Sequence, residues 1–276
     1  MAHGNFEQLQ KLINLLDDRR NMIFLHVDRK VYDEYVSWGG VTSRYSKIYI
    51  CDSYDVRWAD ISQTRVELAL FDMVVNSGLC FNRIHLISGS DLPIKSQDYI
   101  HEYFRLYPDV EFLSFVSNPK PFERRLRYYH FFTKYLRNFK FAQWGRRAAM
   151  LCQFPFINRL KRCPYKFQVG PNWCSLTLRA VKAILDAWEN CSNYFEYSLS
   201  SDECYKQMIL SMDCSFTFSP LGNLRFVVWE SGGSPRTLSL EDFPTLINSN
   251  CLFARKFDLN FNREIVDRII NTVSSK

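Results

Sequence analysis

The sequence lacks an apolar run long enough to cross a membrane, because no stretch approaches the roughly 20 uninterrupted apolar residues that a spanning helix needs. Its first ten residues, MAHGNFEQLQ, lack the basic-then-apolar layout of a signal peptide. Two familiar nucleotide signatures, G-x-G-x-x-G and G-x-x-x-x-G-K-[ST], are also missing. We therefore expect a cytoplasmic chain that is neither a dinucleotide enzyme nor a P-loop enzyme.

Patterns of metal ligands are absent as well. The nine cysteines are odd in number and scattered without a C-x-x-C pair, which predicts buried reduced thiols rather than a disulfide framework or a zinc site. The five histidines form no cluster at a metal spacing. The nearest candidate for the Asp-x-Asp of metal-dependent sugar-nucleotide transferases, CDSYDV, has the wrong spacing. We expect no metal ion, so side-chain cations must neutralise any bound diphosphate.

The composition is that of a globular protein. Apolar residues make up 47% of the 276 positions and charged residues 23%, which is enough to bury a core and unlike a disordered chain. We predict one domain over 1–276, with a basic, aromatic insertion at about 117–168. Between Lys120 and Arg162 twelve Lys and Arg face the single acid Glu123, which gives +11, so the rest of a chain that totals +6 carries −5.

Strands and helices alternate along the first 116 residues. A helix capped by Asn5 precedes strands in NMIFLHVD and KIYI that read as buried on both faces, and then come a helix in DISQTRVELALFDMVVNSG, a strand in RIHLISG, a helix in SQDYIHEYFRLYP and a strand in VEFLSFV. This order predicts an α/β fold with a mostly parallel central sheet and flanking helices. MAH resembles only the end of a strand, so either the sequence starts late or the sheet is one strand short.

Beyond the insertion, the patterns predict helices in LRAVKAILDAWEN, after Ser200 and after Asn262. They also predict strands in LRFVVWE and LFARKF, with a glycine-rich turn, SGGSPRT, after the first of these strands. Ligands of wound parallel sheets bind beyond the carboxyl ends of strands. HVDRK and SGSDLPIKS lie at such ends, so we expect ligand-binding or catalytic residues in these two segments.

Six segments carry a family resemblance: AHGNFEQLQKLINLL with FLHVDRK, HLISGSDLPIKS, GPNWCSLT, SSDE, WESGGSP and LFARKF. In this order and spacing they resemble the core-2/I-branching N-acetylglucosaminyltransferase family, which also contains the peptide xylosyltransferases. With neither a signal anchor nor a disulfide pattern, the chain resembles a bacterial-type member. The resemblance implies a GT-A fold, an inverting transfer from a UDP-sugar, and no divalent metal.

The resemblance makes Glu203, in SSDE, the catalytic base. An inverting displacement needs a carboxylate that accepts the proton of the acceptor hydroxyl, on the face opposite the departing UDP. The residues by themselves also fit a helix capping box, formed by Ser200 and by Glu203 three positions later. We interpret Asp202 as a capping group or as a group that orients the acceptor.

The resemblance assigns the UDP phosphates to Arg236 in SPRTL and Lys256 in FARKF, with Arg255 beside them. Positioned cations stabilise the charge that accumulates on a leaving diphosphate. Asp28 also fits a turn residue that accepts hydrogen bonds from its own backbone. Matches to the family's uridine-binding segments are Ala2, His3, Asp28, Arg29 and Lys30. Further candidate donor or acceptor contacts are Ser88, Gly89, Asp91, Trp173 and Trp229.

The insertion contains three candidate acceptor contacts, Arg124, Arg125 and Arg127. A solvated loop, a nucleic-acid groove and a contact with an anionic membrane all fit its composition. We prefer the membrane, because a transferase that acts on a lipid-linked glycan must stay near it and each basic residue near an anionic surface contributes about 1 kcal/mol. No segment matches a known nucleic-acid module, so we expect no nucleic-acid partner.

The sequence thus predicts an inverting, metal-independent transferase that moves N-acetylglucosamine from UDP-GlcNAc to a glycan acceptor, with or without a lipid link, forming a β linkage. It places the enzyme in the cytoplasm, peripherally at the inner face of the membrane, with no cofactor beyond the UDP-sugar. UDP-xylose is the alternative donor, since WESGGSP and FARKF resemble the xylosyltransferase branch more closely. The alternative of another class is a non-catalytic module that binds glycans or membranes on a degenerate transferase fold.

Overall fold

The computed structural model describes residues 1–137, 139–154, 156–230 and 234–274. These residues form a mixed α/β fold, which confirms the predicted class. The helices are α1 (Phe6–Leu16), α2 (Tyr32–Ser37), α3 (Ile61–Asn76), α4 (Gln97–Arg105), α5 (Arg124–Arg127), α6 (Lys140–Gln153), α7 (Leu178–Phe195), α8 (Tyr205–Leu210), α9 (Phe243–Asn248) and α10 (Arg263–Ser274). The strands are β1 (Met22–Leu25), β2 (Lys47–Ile50), β3 (Ile84–Leu86), β4 (Asp91–Pro93), β5 (Val110–Glu111), β6 (Cys174–Leu176), β7 (Thr217–Phe218), β8 (Arg225–Val227) and β9 (Phe253–Arg255).

The chain divides into two compact units, each built from separate stretches of sequence. The first unit comprises Met1–Ser53, Leu86–Pro108 and Asn223–Lys276, and the second comprises Tyr54–His85 and Asp109–Gly222. The candidate residues for binding a sugar nucleotide fall in the first unit, whereas Glu203 and the basic insertion fall in the second.

Two small sheets organise the first unit. β1 pairs in parallel with β2, in register from Met22 opposite Lys47 to Leu25 opposite Ile50. β9 is the middle strand of the other sheet, with β8 parallel on one side and β4 antiparallel on the other. Pro93 is accommodated in β4 because an edge strand leaves one side without a ladder partner.

Helices α1 and α10 supply much of the core of the first unit. Asn5 caps α1 by accepting a hydrogen bond from the Gln8 N–H (3.2 Å), as its sequence predicts. The α1 side chains spaced for one helical face are buried, and they share a core with the buried stripe of α10 and with both sheets. Members of this core include Phe6, Leu9, Ile13, Val27, Leu92, Ala254, Ile265 and Ile269. Each large apolar side chain buried here stabilises the unit by about 1.5–3 kcal/mol.

The second unit is built around helices α3, α7 and α8. Asp60 caps α3 through the Ser62 N–H (3.0 Å), and Gly78 ends this segment with φ +70°, a conformation that glycine adopts without strain. Thr177 caps α7 through the Ala180 N–H (3.1 Å). The sheets of this unit are also small: β5 pairs in parallel with β7, and β3 pairs with β6.

Several sequence predictions need correction. β1 and β2 are not buried on both faces: Leu25 is the buried residue of the two strands, while Met22, Lys47 and Ile50 are exposed and the other positions are half-buried. The two strands pair with each other in a two-stranded sheet. VEFLSFV forms a strand only at its first two residues. Helix α6 was not predicted, because the proline and arginine clusters of the insertion at 117–168 indicated irregular structure.

The cysteines are all free thiols, but they are not uniformly buried. Cys51, Cys174, Cys191 and Cys204 are buried, whereas Cys80, Cys152 and Cys214 are exposed. The expectation of buried thiols is therefore wrong for three of them. Across the described residues, no helix combines the length and apolar character that crossing a bilayer would require.

Candidate active site

Backbone hydrogen bonds join the predicted uridine-binding segments of the first unit. Ala2 is buried and forms a parallel bridge with Val27, donating to the His26 carbonyl (2.8 Å) and accepting from the Asp28 N–H (2.9 Å). The Gly89 N–H donates to the Met1 carbonyl (2.9 Å). Residues 1–3, 26–30 and 88–91 thus lie side by side, and MAH pairs like the end of a strand, as predicted.

Asp28 is committed to its own turn. Its carboxylate is buried and accepts hydrogen bonds from the Lys30 N–H (3.0 Å) and from Lys30 Nζ (2.8 and 2.6 Å). This is the turn geometry that the sequence left as an alternative. The side chains of His3, Arg29 and Lys30 are exposed around it.

The turn SGSD is fixed against strand β9. Asp91 is wholly buried, and its carboxylate accepts from the Ser88 N–H (2.9 Å) and the Ser88 hydroxyl (2.8 Å), with Arg255 Nε at 3.6 Å. Asp91 also stands opposite Arg255 in the ladder between β4 and β9. A Cβ at Gly89 would lie 3.6 Å from Ala2 Cα, an ordinary contact, so local packing does not demand glycine there. The turn is instead held by the buried Asp91 carboxylate, through its two hydrogen bonds from Ser88.

Lys256 follows β9 and is held through its backbone. The Leu238 N–H donates to the Lys256 carbonyl (2.8 Å), and the adjacent Phe257 N–H donates to the Ser90 carbonyl (2.9 Å). Its side chain is half-buried and makes neither a hydrogen bond nor an ion pair with any described residue. The backbone beside Lys256 is thus hydrogen-bonded to the turn at 88–91, and no carboxylate of the described residues pairs with its ammonium group.

Arg236 has a different environment, because two carboxylates already contact it. Its Nη atoms donate to both oxygens of Asp242 (2.9 and 2.6 Å), and its Nε lies 2.9 Å from Glu230. This guanidinium holds the pKa of Asp242 below its ordinary value. Arg236 would have to leave these partners, or share its charge with them, to bind a diphosphate.

Trp229 lies beside this cluster and is 57% exposed, so it is not a core residue of its strand. It forms an antiparallel bridge with Pro235. Residues Ser231, Gly232 and Gly233 of the predicted turn SGGSPRT lie outside the described residues. The observation that supports a sugar-stacking platform here is therefore the exposure of the Trp229 indole.

In the second unit, Glu203 is not a helix cap. It ends a 3₁₀ turn, Ser201–Glu203, and Ser200 before it has a left-handed backbone (φ 53°) and makes no side-chain capping hydrogen bond. The capping-box interpretation is therefore wrong. Glu203 Oε2 accepts instead from Arg125 Nη1 (2.5 Å), and the side chain stays 36% exposed. Oε1 has no hydrogen-bond partner within the described part of the chain.

Asp202 lies on the buried side of the same turn. Asp202 is 4% exposed, and its Oδ1 has no hydrogen-bond partner among the described residues. Burial raises the pKa of Asp202 well above its ordinary value, and the nearby charges of Glu203 and Glu67 raise it further. No capping hydrogen bond from Asp202 is seen in its turn, so that part of the prediction is not supported.

A buried polar cluster supports the turn from below. Lys206 is fully buried, and its Nζ donates to Glu67 (2.5 Å), to Asn172 Oδ1 (2.5 Å) and to the Asp202 carbonyl (3.0 Å). Glu67 also accepts from the Tyr205 hydroxyl (2.9 Å) and from Asn172 Nδ2 (2.6 Å). The three protons of the ammonium group therefore each have an acceptor, one of which is the backbone next to Glu203.

Of the three predicted acceptor-binding arginines, the one that contacts Glu203 is Arg125. Its guanidinium also lies 4.9 Å from the Phe122 ring. Arg127 lies over the Tyr128 ring (5.7 Å), while the Arg124 side chain is exposed. Trp173 is half-buried and follows Asn172 of the polar cluster. Arg125 is thus tied to the candidate base, and the other two arginines are not.

Comparison with known proteins decides the family. A model of the Branch family, described as core-2/I-branching enzyme, matches residues 1–246. This chain belongs to the core-2/I-branching enzyme family. Two curated relatives, both from Arabidopsis thaliana, are beta-glucuronosyltransferase GlcAT14A, 22% identical with 92% of this chain and 59% of the relative covered, and beta-glucuronosyltransferase GlcAT14B, 26% identical with 93% and 61% covered. The chain spans about three fifths of the length of these relatives.

Sequence reasoning missed two organising residues of this core-2/I-branching chain. Gln8 is buried in the first unit, where its amide donates to the Gly89 and Phe257 carbonyls (both 3.0 Å) and accepts from the Leu259 N–H (2.9 Å). Glu67 is buried on α3, at helical spacing from Thr64 and Phe71. A polar residue at a core position of an apolar stripe was the signal available for both.

Metal ligands are not grouped in the part of the chain that the structure describes. No set of three or more His, Cys, Asp or Glu side chains there is arranged to hold an ion. Arg255 Nε lies 3.6 Å from Asp91 of the turn at 88–91, and the Phe257 N–H, next to Lys256, donates to the Ser90 carbonyl of that turn.

Proposed function

We propose that this core-2/I-branching family member is an inverting glycosyltransferase of GT-A type, which uses a UDP-sugar and needs no divalent metal. In this proposal Glu203 takes the proton from an acceptor hydroxyl as that oxygen forms a bond to the anomeric carbon of the donor. The bond from that carbon to the UDP oxygen breaks at the same time, which gives a β linkage from an α-linked donor.

One observation carries this proposal: among the described residues, the Glu203 side chain makes no hydrogen bond or ion pair other than the one with Arg125. A carboxylate used as a cap would be saturated by backbone N–H groups. Here one oxygen accepts a single hydrogen bond, which fixes the orientation of the group, and the other oxygen is left to accept a proton. A general base needs this combination of fixed orientation and a free lone pair.

Lys256 is the proposed partner of the departing diphosphate. Its ammonium has no described protein partner, and its backbone is held to the turn at 88–91 through Phe257 and Ser90. A cation that is positioned before the reaction stabilises developing negative charge without reorganisation. Arg236 is assigned a secondary role, because Asp242 and Glu230 already offset its charge.

Three donors are candidates for the transferred sugar. UDP-GlcNAc follows from the family resemblance, and UDP-xylose follows from the resemblance of WESGGSP and FARKF to the xylosyltransferase branch. UDP-glucuronate joins them because both matched relatives are named beta-glucuronosyltransferases. The proposed acceptor is a glycan hydroxyl.

The test is UDP release from a panel of these three donors in the presence of EDTA, with a set of glycan acceptors. We expect turnover with one donor, undiminished by the chelator, and a fall of about 10²- to 10⁴-fold in kcat for Glu203→Gln. Glu196→Gln is a matched control, since Glu196 is also paired with an arginine (2.6 Å from Arg65) and is 37% exposed, against 36% for Glu203.

Two results would contradict the proposal. Loss of turnover on chelation would show that a metal, rather than Lys256, carries the diphosphate charge. Absence of UDP release with every donor, together with glycan binding that Glu203→Gln leaves unchanged, would favour the non-catalytic binding module.

A further inference from the structure

Helix α6 of the insertion turns its apolar side outward. Phe141, Trp144, Ala148 and Leu151 recur at helical spacing and are all exposed, with exposed fractions of 86% for Phe141 and 69% for Trp144 and Leu151. Ala142, on another side of the helix, is buried. A surface helix normally places its apolar stripe against the core, so this arrangement is reversed.

Aromatic residues extend this stripe beyond both ends of the helix. We call the exposed apolar side chains Phe132, Tyr135, Phe139, Phe141, Trp144, Leu151, Phe154 and Phe156 the aromatic surface. The rings of Tyr135 and Phe139 lie 6.2 Å apart, so part of this surface is continuous before the helix begins. Exposed apolar patches of this kind mark surfaces that bind a protein, a membrane or a ligand.

The charge around the aromatic surface has one sign. The sequence has no Asp or Glu between Glu123 and Asp186. Among the described residues of this stretch, nine cationic side chains are exposed: Arg124, Lys134, Arg137, Arg147, Lys161, Arg162, Lys166, Arg179 and Lys182. The complementary occupant must therefore combine negative charge with an apolar interior.

We propose that the aromatic surface docks on an anionic lipid bilayer, with α6 lying in the interface. Trp and Phe insert at the boundary between headgroups and acyl chains, while flanking Lys and Arg contact the anionic headgroups. A second copy of the chain would bring the same positive charge against itself. Single-stranded nucleic acid binds through aromatic stacking, but Ala148 and Leu151 of the stripe have no ring to stack. This inference does not depend on the proposed catalytic function.

The test is co-sedimentation of the purified chain with phosphatidylcholine vesicles, with and without about one third phosphatidylserine. The stripe variant combines Phe141→Ser, Trp144→Ser and Leu151→Ser. The matched control variant combines Phe261→Ser, Trp58→Ser and Leu221→Ser, which removes the same three residue types at positions that are 64%, 58% and 58% exposed. Circular dichroism checks that both variants are folded.

We expect binding to the anionic vesicles only, weakened about a hundredfold or more by the stripe variant and unchanged by the control variant. Arg147→Glu should weaken it about fivefold or more, and added salt should weaken it further. Equal binding to both vesicles, no binding, or equal losses in the two triple variants would overturn the inference. So would a stable dimer in light scattering, or oligonucleotide binding, that the stripe variant abolishes.

Discussion

The buried ion pair between Lys206 and Glu67 allows a quantitative test of how the candidate base is supported. Lys206→Met keeps the length and apolar stem of the side chain but removes the ammonium group that contacts Glu67, Asn172 and the Asp202 carbonyl. Both charged side chains are 0% exposed, so water cannot replace the lost cation.

The expected loss of stability can be bounded. Removing one partner of a buried ion pair costs about 3–5 kcal/mol, because the other charge is left without compensation. Glu67 keeps its hydrogen bonds from Tyr205 (2.9 Å) and Asn172 (2.6 Å), so we expect a value near the lower end, about 3 kcal/mol. That is a large part of the about 5–15 kcal/mol by which a typical domain is stable, but it leaves the variant folded.

Equilibrium urea unfolding measures this loss, followed by tryptophan fluorescence. Trp188 is a suitable reporter, since its ring packs against Tyr205 of the cluster (5.7 Å between centroids). Adding Glu67→Gln to Lys206→Met removes the stranded charge, so we expect the double variant to regain at least about half of the lost stability. A single variant within about 0.5 kcal/mol of the wild type, or a double variant no more stable than the single one, would refute the reasoning.

The pH dependence gives a second check on the same variant. Burial raises the pKa of Glu67, and Lys206 opposes that shift. Without Lys206 the carboxyl takes up a proton more readily when folded than when unfolded, so stability should fall as the pH rises above the unfolded pKa of about 4.3. The deficit of Lys206→Met should therefore shrink in acid.

Three further predictions concern other parts of the chain. Lys256→Met should lower kcat/KM for UDP release about 10²-fold, while Arg236→Met should lower it less than tenfold because that charge is already paired, and equal losses would contradict this assignment. Burial lowers the pKa of His130 to about 4, so the unfolded chain binds the extra proton between about pH 6.5 and 4, and about 3 kcal/mol of stability should be lost as the pH falls through that window. His130→Asn should flatten that dependence in urea titrations, and an unchanged slope would refute it. Gln8→Leu should cost more than about 2 kcal/mol in thermal unfolding because it leaves buried backbone groups unpaired. Gln10→Leu should cost less, since Gln10 is only half-buried and water can replace its hydrogen bonds with Asn14 and Thr42.

The helices were the most predictable part of the fold. Asn5, Asp60, Thr177 and Asn262 all act as caps beside the helices that the sequence predicts. Caps and apolar stripes are interactions between residues three or four positions apart, so they can be recognised in the sequence itself. Strands were harder, since Pro93 belongs to a strand only because β9 lies alongside it.

The candidate site divides along the same line. Its segments could be found from the order of SGSDLPIKS, SSDE and FARKF, and the backbone pairing at Ala2 and Gly89 agrees with that reading. The hydrogen-bond and ion-pair partners of each side chain could not be predicted in this way. Glu203 after a serine run fits a cap as well as a base, and the first interpretation is removed by the structure, in which Ser200 makes no side-chain capping hydrogen bond.

By itself, the sequence determined the α/β class, the family and the local excess of positive charge in the insertion, because these depend on composition, order and short-range spacing. The tertiary structure alone decided which charges are paired. Arg125 meets Glu203 across 78 positions and Lys206 meets Glu67 across 139, while Lys256 has no described partner. Such pairings depend on which distant segments the fold places within a few ångströms, since charges interact strongly only over short distances and away from water.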